Sequence, residues 1–266
     1  MSEELKVKLL EDILKTGFPL EMEISQKLRS NGWRVSNSSY YIDMDENKGR
    51  EIDIISSIHK NKEVYKEIYL EILFSLIVEI KKTEDKPWIF FTSEVHGPIE
   101  KYLPKDYVMS GFANKPHVIN RLLRKNTEKV NTRIGRNFYQ GFTKNGGRDD
   151  IYKALSGVIK ATYHFMENSS AKDNNSVDRL IHFFEPVVVI KGKLFETYLK
   201  EDGEQVLEEV NYIQTQFNYL SPNYSDGTSS NKVVHVITSD YLETFVIERK
   251  ESLNAFFEDL VNNDIH

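Results

Sequence analysis

Hydrophobic and polar positions alternate along the chain with two different periods, and each period predicts one type of secondary structure. Apolar residues three and four positions apart predict helices over 2–15, 20–30, 149–168 and 252–262. Alternation of period two, or a short continuous apolar run, predicts strands over 33–42, 51–55, 69–81, 87–92, 186–190, 193–199 and 232–238. Strands and helices therefore interleave, which favours an α/β fold.

Turn residues predict how these strands connect. A polar stretch ending in Gly49 predicts a hairpin between the first two strands, and a polar loop over 59–62 would separate the second strand from the third. Gly192 predicts a second hairpin, which pairs the strands over 186–190 and 193–199. The segment from 93 to 148 has no sustained pattern and gains no assignment.

The third strand carries an unusual pair of charges. A period of two places Glu79 and Lys81 on the face opposite Val78 and Ile80, so that a carboxylate and an amine emerge together from an apolar run. Asp53 lies on the preceding strand. If the two strands pair, two carboxylates and an ammonium converge on one part of the sheet.

Such a group of residues suits a divalent cation. Asp53, Glu79 and the backbone carbonyl of Ile80 would offer the hard oxygen ligands that Mg²⁺ or Mn²⁺ prefers. A bound ion can activate a water for attack on a phosphate, and Lys81 could orient that water or stabilise the transition state. The alternative is structural: Glu79 and Lys81 cover the wet face of an edge strand, and Asp53 bonds to a turn.

The helix over 20–30 offers one more carboxylate. Glu21 borders its buried stripe, three residues from Ile24, whereas Glu23 lies with Lys27 on a more solvated side. Glu21 is therefore favoured as the acid that faces the strands, and Glu23 is the weaker alternative.

Composition predicts a soluble protein of the cytoplasm with one domain. The 266 residues include no cysteine, so that disulfides and thiolate metal sites are excluded. The start of the chain lacks the pattern of a signal peptide, and no apolar run reaches membrane-spanning length. No linker divides the chain, so we expect a single domain over 1–266, with a basic insertion over 95–148.

The charge distribution is uneven. The net charge is −6, yet the segment 115–148 contains nine lysines and arginines against one glutamate. Such a patch would attract a polyanion. We expect its basic residues to contact nucleic-acid phosphates, with these as candidates: Arg121, Arg124, Lys125, Arg133 and Arg136.

Four successive motifs resemble those of the PD-(D/E)XK, or restriction-endonuclease-like, nucleases. They are Gly17-Phe18-Pro19-Leu20-Glu21, Gly49-Arg50-Glu51-Ile52-Asp53, Val78-Glu79-Ile80-Lys81-Lys82 and Lys86-Pro87-Trp88-Ile89-Phe90-Phe91. The resemblance implies an αβββαβ core, with a central mixed sheet flanked by helices, plus the basic insertion and C-terminal α/β additions. It covers 16–93 well, and the helix over 149–168 with the strand over 187–190 would complete the core.

The resemblance also implies an activity. Asp53 and Glu79 would hold Mg²⁺ or Mn²⁺, Lys81 would serve the attacking water, and Glu21 would support the metal or its waters. The expected function is a metal-dependent nuclease, most of all a DNA endonuclease, in prokaryotic defence or DNA processing. Cutting both strands would favour a symmetric homodimer. The alternative is a catalytically silent module on the same fold that binds nucleic acid or a protein.

Overall fold

A computed structural model describes residues 3–83, 85–95, 106–112, 119, 121–122, 132–143, 149–172, 178–224 and 231–262. We label its longer helices α1 (Glu3–Leu14), α2 (Phe18–Ser30), α3 (Asp149–Glu167) and α4 (Leu242–Asn262). The strands are β1 (Arg34–Asp43), β2 (Lys48–Tyr65), β3 (Ile68–Lys82), β4 (Trp88–Val95), β5 (Tyr107–Ser110), β6 (Thr132–Gln140), β7 (Arg179–Lys191), β8 (Leu194–Leu199), β9 (Gln205–Glu209), β10 (Tyr212–Asn218) and β11 (Asn231–Thr238). None of these helices is long and apolar enough to cross a membrane.

All eleven described strands belong to one mixed sheet, as the α/β prediction requires. Its order is β1-β2-β3-β7-β11-β10-β6-β4-β8-β9, and β5 pairs with β7 beside this path. The strands β1, β2 and β3 form an antiparallel meander. The longest parallel ladder joins β3 to β7, from Leu70 opposite Arg179 to Lys82 opposite Lys191. Strands β3 and β7 therefore form the centre of this part of the sheet.

The pair β3 and β7 bends and continues as the pair β4 and β8, which are again parallel neighbours. Main-chain bonds fix both bends, because the N–H of Thr83 donates to the oxygen of Lys191 and that of Trp88 to the oxygen of Lys193, each at 2.9 Å. The two bends touch closely. A Cβ on Gly192 would lie 2.2 Å from the Thr83 Oγ1, so only glycine fits there.

Helices cover both faces of the sheet. Alternate residues of β3 point to opposite sides, and its even-numbered apolar residues, Leu70 to Ile80, pack with α2 and α4. Ile77 faces the other way, into a cluster with α3, Trp88 and Phe90. The result is a layer of helix, sheet and helix, with one apolar core on each side.

Most predicted elements are present, but two predicted connections are wrong. The stretch 59–62 is not a loop, because β2 pairs with β3 as far as Tyr65 opposite Ile68. Lys66 and Glu67, both with positive φ, form the turn instead. The polar residues lie on strands whose backbone bonds are made regardless of side-chain polarity.

The hairpin predicted at Gly192 is also wrong. Strand β8 pairs with β4 and β9, not with β7. The glycine serves the close approach of the two bends and does not reverse the chain. Three further features escaped the sequence patterns: β9, β10 and the first ten residues of α4. Within 95–148, moreover, β5 and β6 are strands of the main sheet.

A buried ionic group ties α4 to the sheet. The Nε of Arg249 on α4 donates to both carboxylate oxygens of Glu185 on β7, at 2.8 and 2.9 Å. His235 on β11 lies 2.9 Å from the same carboxylate, and its other ring nitrogen meets the Tyr212 hydroxyl at 3.0 Å. Burial disfavours the charge on Glu185, yet Arg249 and His235 outweigh it and lower its pKa. Loss of one member would leave a buried charge with fewer partners.

We expect Arg249→Met to destabilise the protein by roughly 3–5 kcal/mol, because it strands the buried Glu185 carboxylate without its main partner. Chemical denaturation measures this loss. The double variant Glu185→Leu, Arg249→Met removes both charges and should recover much of the stability. A cost below about 1 kcal/mol for the single variant would show that the carboxylate does not depend on Arg249.

Candidate active site

The antiparallel ladder between β2 and β3 stops at Ile54 opposite Val78. Beyond that point β2 pairs only with β1, so that β2 and β3 separate. Further along β3, the N–H of Ile80 points toward β2 and donates to the Asp53 Oδ2 at 2.6 Å. A side chain thus replaces the missing backbone acceptor, which fixes the Asp53 carboxylate beside the Ile80 peptide.

Glu79 and Lys81 flank Ile80 on the opposite face, as the period of two predicts. The Lys81 Nζ donates to the Glu79 Oε1 at 2.6 Å. These side chains are only 15% and 34% exposed, for the acid and the amine respectively. The pair is therefore half-buried, unlike an ion pair on the wet face of an edge strand. Strand β3 is in fact internal, between β2 and β7.

Helix α2 brings Glu21 to the same place. Glu21 lies in the first turn, and its carboxylate interacts electrostatically with Asp53, Glu79 and Lys81. Gly17, at the start of the helix, lies beside this carboxylate, since a Cβ there would be at an ordinary contact distance of 3.4 Å from the Glu21 Oε1.

Glu23 points elsewhere. Its carboxylate pairs with Lys27 at 3.0 Å and with Lys191 at 3.4 Å, and the hydrogen bond from Lys27 lowers its pKa. Of these two acids on α2, only Glu21 interacts with Asp53, Glu79 and Lys81.

The three carboxylates resist ionisation. Burial raises the pKa of Glu79 to about 7, and the charges of Asp53 and Glu21 add to this effect against the attraction of Lys81. Burial also raises the pKa of Asp53, despite its bond to the Ile80 N–H, and that of Glu21, where the Asp53 charge contributes next. Negative charge is thus held in this place at an energetic cost.

Lys81, unlike the acids, is stabilised in its charged form. Burial disfavours its charged form, but the Glu79 carboxylate outweighs burial, and the pKa of Lys81 is raised. Lys81 is therefore an ammonium at neutral pH. It can donate hydrogen bonds and stabilise negative charge, but it cannot accept a proton.

Two acids near the site were not singled out from the sequence. Glu51 on β2 raises the pKa of both Asp53 and Glu21, and Asp150 in the first turn of α3 raises that of Lys81. The same period of two places Glu51 on the side of Asp53. The sequence pattern could therefore have predicted that Glu51 lies near the site. Asp150 depends on how α3 packs, which no local pattern indicates.

The donor set fits a hard divalent cation in chemistry and in charge. The carboxylates of Glu21, Asp53 and Glu79 interact with the Lys81 ammonium, and a bound ion would offset the negative charge whose burial raises their pKa values. Glu51 adds a fourth carboxylate that acts on Asp53 and Glu21. Among the described residues no three acid or histidine side chains form a closed set of ligands. Two of the carboxylates are instead bonded to the Ile80 N–H and to Lys81.

The basic residues have separate surroundings. Arg133 on β6 lies 3.7 Å from Glu196, and its guanidinium stacks on Tyr198 with 3.4 Å between the guanidinium carbon and the ring centroid. Arg121 and Arg136 are exposed. Arg124 and Lys125 fall outside the described residues. Three strands lie between β3 and β6 in the sheet order.

Comparison with known proteins adds no relative. No family model, no curated protein and no solved structure matches the chain. The resemblance to restriction-endonuclease-like nucleases therefore stays a prediction, and the residues themselves must support any function.

The raised pKa of Glu79 has a consequence for stability. Between its ordinary pKa of 4.5 and about 7, the folded protein keeps a proton that the unfolded chain has lost. Stability should therefore fall as pH rises through this window. Relative to Glu79→Gln, we expect the free energy of unfolding of the wild type to fall by on the order of 2 kcal/mol between pH 5 and 7.

Denaturant titrations at several pH values, with a chelator present, measure this difference. Glu23→Gln is the matched control, because the lowered pKa of Glu23 places its effect below this window. A difference between wild type and Glu79→Gln that does not change with pH would mean that Glu79 is ionised throughout.

Proposed function

We propose that this protein is a metal-dependent phosphodiesterase that cleaves nucleic acid, and specifically a DNA endonuclease. The observation that carries the proposal is the half-buried surplus of carboxylates around Lys81 where β2 and β3 separate. A structural role does not explain why three acids with raised pKa values are kept together. A site that binds a cation and a phosphate does.

The order of elements also supports the proposal. Along the chain α2 is followed by β1, β2 and β3, then by the strands β4, β5 and β6, and after these by α3 and β7, which runs parallel to β3. With β4, β5 and β6 counted as an insertion, this order is compatible with the αβββαβ core that the resemblance implies. The acids Asp53 and Glu79 occupy the strands, and Glu21 the helix, to which that resemblance assigns them.

In this proposal Asp53, Glu79, the carbonyl of Ile80 and Glu21 hold Mg²⁺ or Mn²⁺. A bound ion supplies a water of lowered pKa and neutralises charge on the phosphoryl oxygens. The bond from the Ile80 N–H orients the Asp53 carboxylate before any ligand arrives. Such prior orientation reduces the cost of assembling the site.

Lys81 acts through its charge. As a persistent ammonium beside Glu79, it donates a hydrogen bond to the attacking water or to a phosphoryl oxygen, where negative charge grows in the transition state. It is not the base, because its raised pKa keeps it protonated. The proton of the water must go to another acceptor, such as a carboxylate or a phosphate oxygen.

We expect Asp53→Asn and Lys81→Met to lower cleavage roughly 100-fold or more, since each removes a group that stabilises the transition state. The assay incubates purified protein with supercoiled plasmid, single-stranded DNA and RNA, in Mg²⁺, Mn²⁺ or chelator. Glu21→Gln should also slow cleavage, while Glu23→Gln on the same helix should not. If wild type and variants bind every substrate equally and cut none, the protein is a binding module.

The basic surface predicts a salt dependence. Arg136 is exposed, whereas Arg133 is engaged by Glu196 and Tyr198. We therefore expect Arg136→Ala to reduce the slope of log affinity against log salt by about one, and Arg133→Ala to reduce it less. Fluorescence anisotropy of a labelled duplex measures both, in the Asp53→Asn background without metal. An unchanged slope for Arg136→Ala would remove β6 from the interface.

A further inference from the structure

A second feature adjoins the carboxylate site. A cavity of about 370 Å³ opens where β3 bends into β4. Lys81 lies in its wall and at the same time holds Glu79. The cavity and the carboxylate site are therefore neighbours that share one ammonium. The remaining wall residues are Lys82, Thr83, Asp85, Lys86, Trp88, Gln140 and Asp150.

Backbone hydrogen bonds fix the wall. The N–H of Lys86 donates to the oxygen of Thr83 at 3.0 Å, and the N–H of Gly141 to the oxygen of Pro87 at 2.8 Å. These bonds hold the bend against the end of β6, where Gln140 pairs with Trp88. The cavity is thus formed before any ligand binds, as is usual for small-molecule sites.

Two residues of the wall are almost wholly buried. Thr83 and Trp88 are 7% and 0% exposed. Their Oγ1 and Nε1 atoms are buried and find no hydrogen-bond partner among the described residues. Such orphaned groups are rare and costly in folded proteins. Because neither atom has accessible surface, both lie behind the wall, and the groups that can reach a ligand are the exposed amines of Lys82 and Lys86 and the carboxylates of Asp85 and Asp150.

The charges of the wall select the kind of ligand. Three amines, of Lys81, Lys82 and Lys86, suit a phosphate, but Asp85 and Asp150 would repel a simple anion. These carboxylates and the Gln140 amide suit groups that donate hydrogen bonds. A nucleotide has both an anionic phosphate and a base with donors and acceptors, and the volume lies in the range of sites for molecules of that size.

We propose that this cavity binds one unpaired nucleotide of the substrate strand, next to the phosphate that reacts beside Lys81. The inference rests on the proposed nuclease function and narrows its substrate. A nucleotide in a helical duplex cannot enter a concave pocket until it leaves its pair and stack. The substrate class is therefore nucleic acid with an unpaired nucleotide at the cut, such as a single strand or a flap.

Direct binding tests the cavity without any cleavage. Deoxyadenosine and thymidine 5′-monophosphate are titrated into metal-free protein, with inorganic phosphate for comparison, and the fluorescence of the two tryptophans is followed. We expect both nucleotides to bind more tightly than phosphate. Lys86→Glu should weaken them roughly tenfold by loss of a charge-assisted hydrogen bond. Lys62 is another exposed lysine, on the far part of β2, and Lys62→Glu should leave the nucleotide affinity unchanged.

Absence of nucleotide binding, or equal weakening by the two variants, overturns the inference. A cleavage arm separates it from the proposed function. The wild type should cut a single strand and a flap at least about tenfold faster than the same sequence fully paired, since unpairing costs a few kcal/mol. Equal cutting of duplex and single strand refutes the cavity's role and leaves the nuclease intact. Cleavage of no substrate refutes the nuclease, and the binding titration still decides the cavity.

Discussion

The hydrogen bond from the Ile80 N–H to Asp53 is the interaction on which the candidate site depends. The sheet must leave an N–H unpaired where β2 separates from β3, and an unpaired N–H in a half-buried place costs about 1–3 kcal/mol. Asp53 satisfies it at 2.6 Å and becomes fixed there. The fold thus obtains an acid in a defined position from the need to end a ladder.

The surrounding layers explain how so much negative charge is tolerated. Helices α2 and α4 pack on one face of the central strands and α3 on the other, and each face has its own apolar core. The Glu185 and Arg249 pair adds an ionic contact between α4 and β7. Because β7 forms the long ladder with β3, these contacts hold the strand of Glu79 and Lys81 in place. Repulsion among the acids is then borne by packing elsewhere.

The sequence predicts the local part of this structure well and the non-local part poorly. Periods of two and 3.6 found the strand of Glu79 and the helix of Glu21, because each period depends only on near neighbours. Pairing between distant strands leaves no such mark. The parallel partner of β8 is β4, far earlier in the chain, and the glycine between β7 and β8 predicts a turn although it serves a close approach. The position of Asp150 is also not predicted, because it depends on how α3 packs against the sheet.

Lys81 lies between the carboxylate site and the cavity, and therefore couples them. Its ammonium now bonds to a Glu79 oxygen that would otherwise be available to a cation. A phosphate arriving from the side of the cavity competes for the same ammonium, with the amines of Lys82 and Lys86 on its own side. A Lys81 drawn toward the phosphate leaves Glu79 with less compensation for its charge, and the attraction of that carboxylate for a cation rises. If the proposed function holds, substrate and metal would therefore favour each other's binding, because each would relieve the charge that the other leaves exposed.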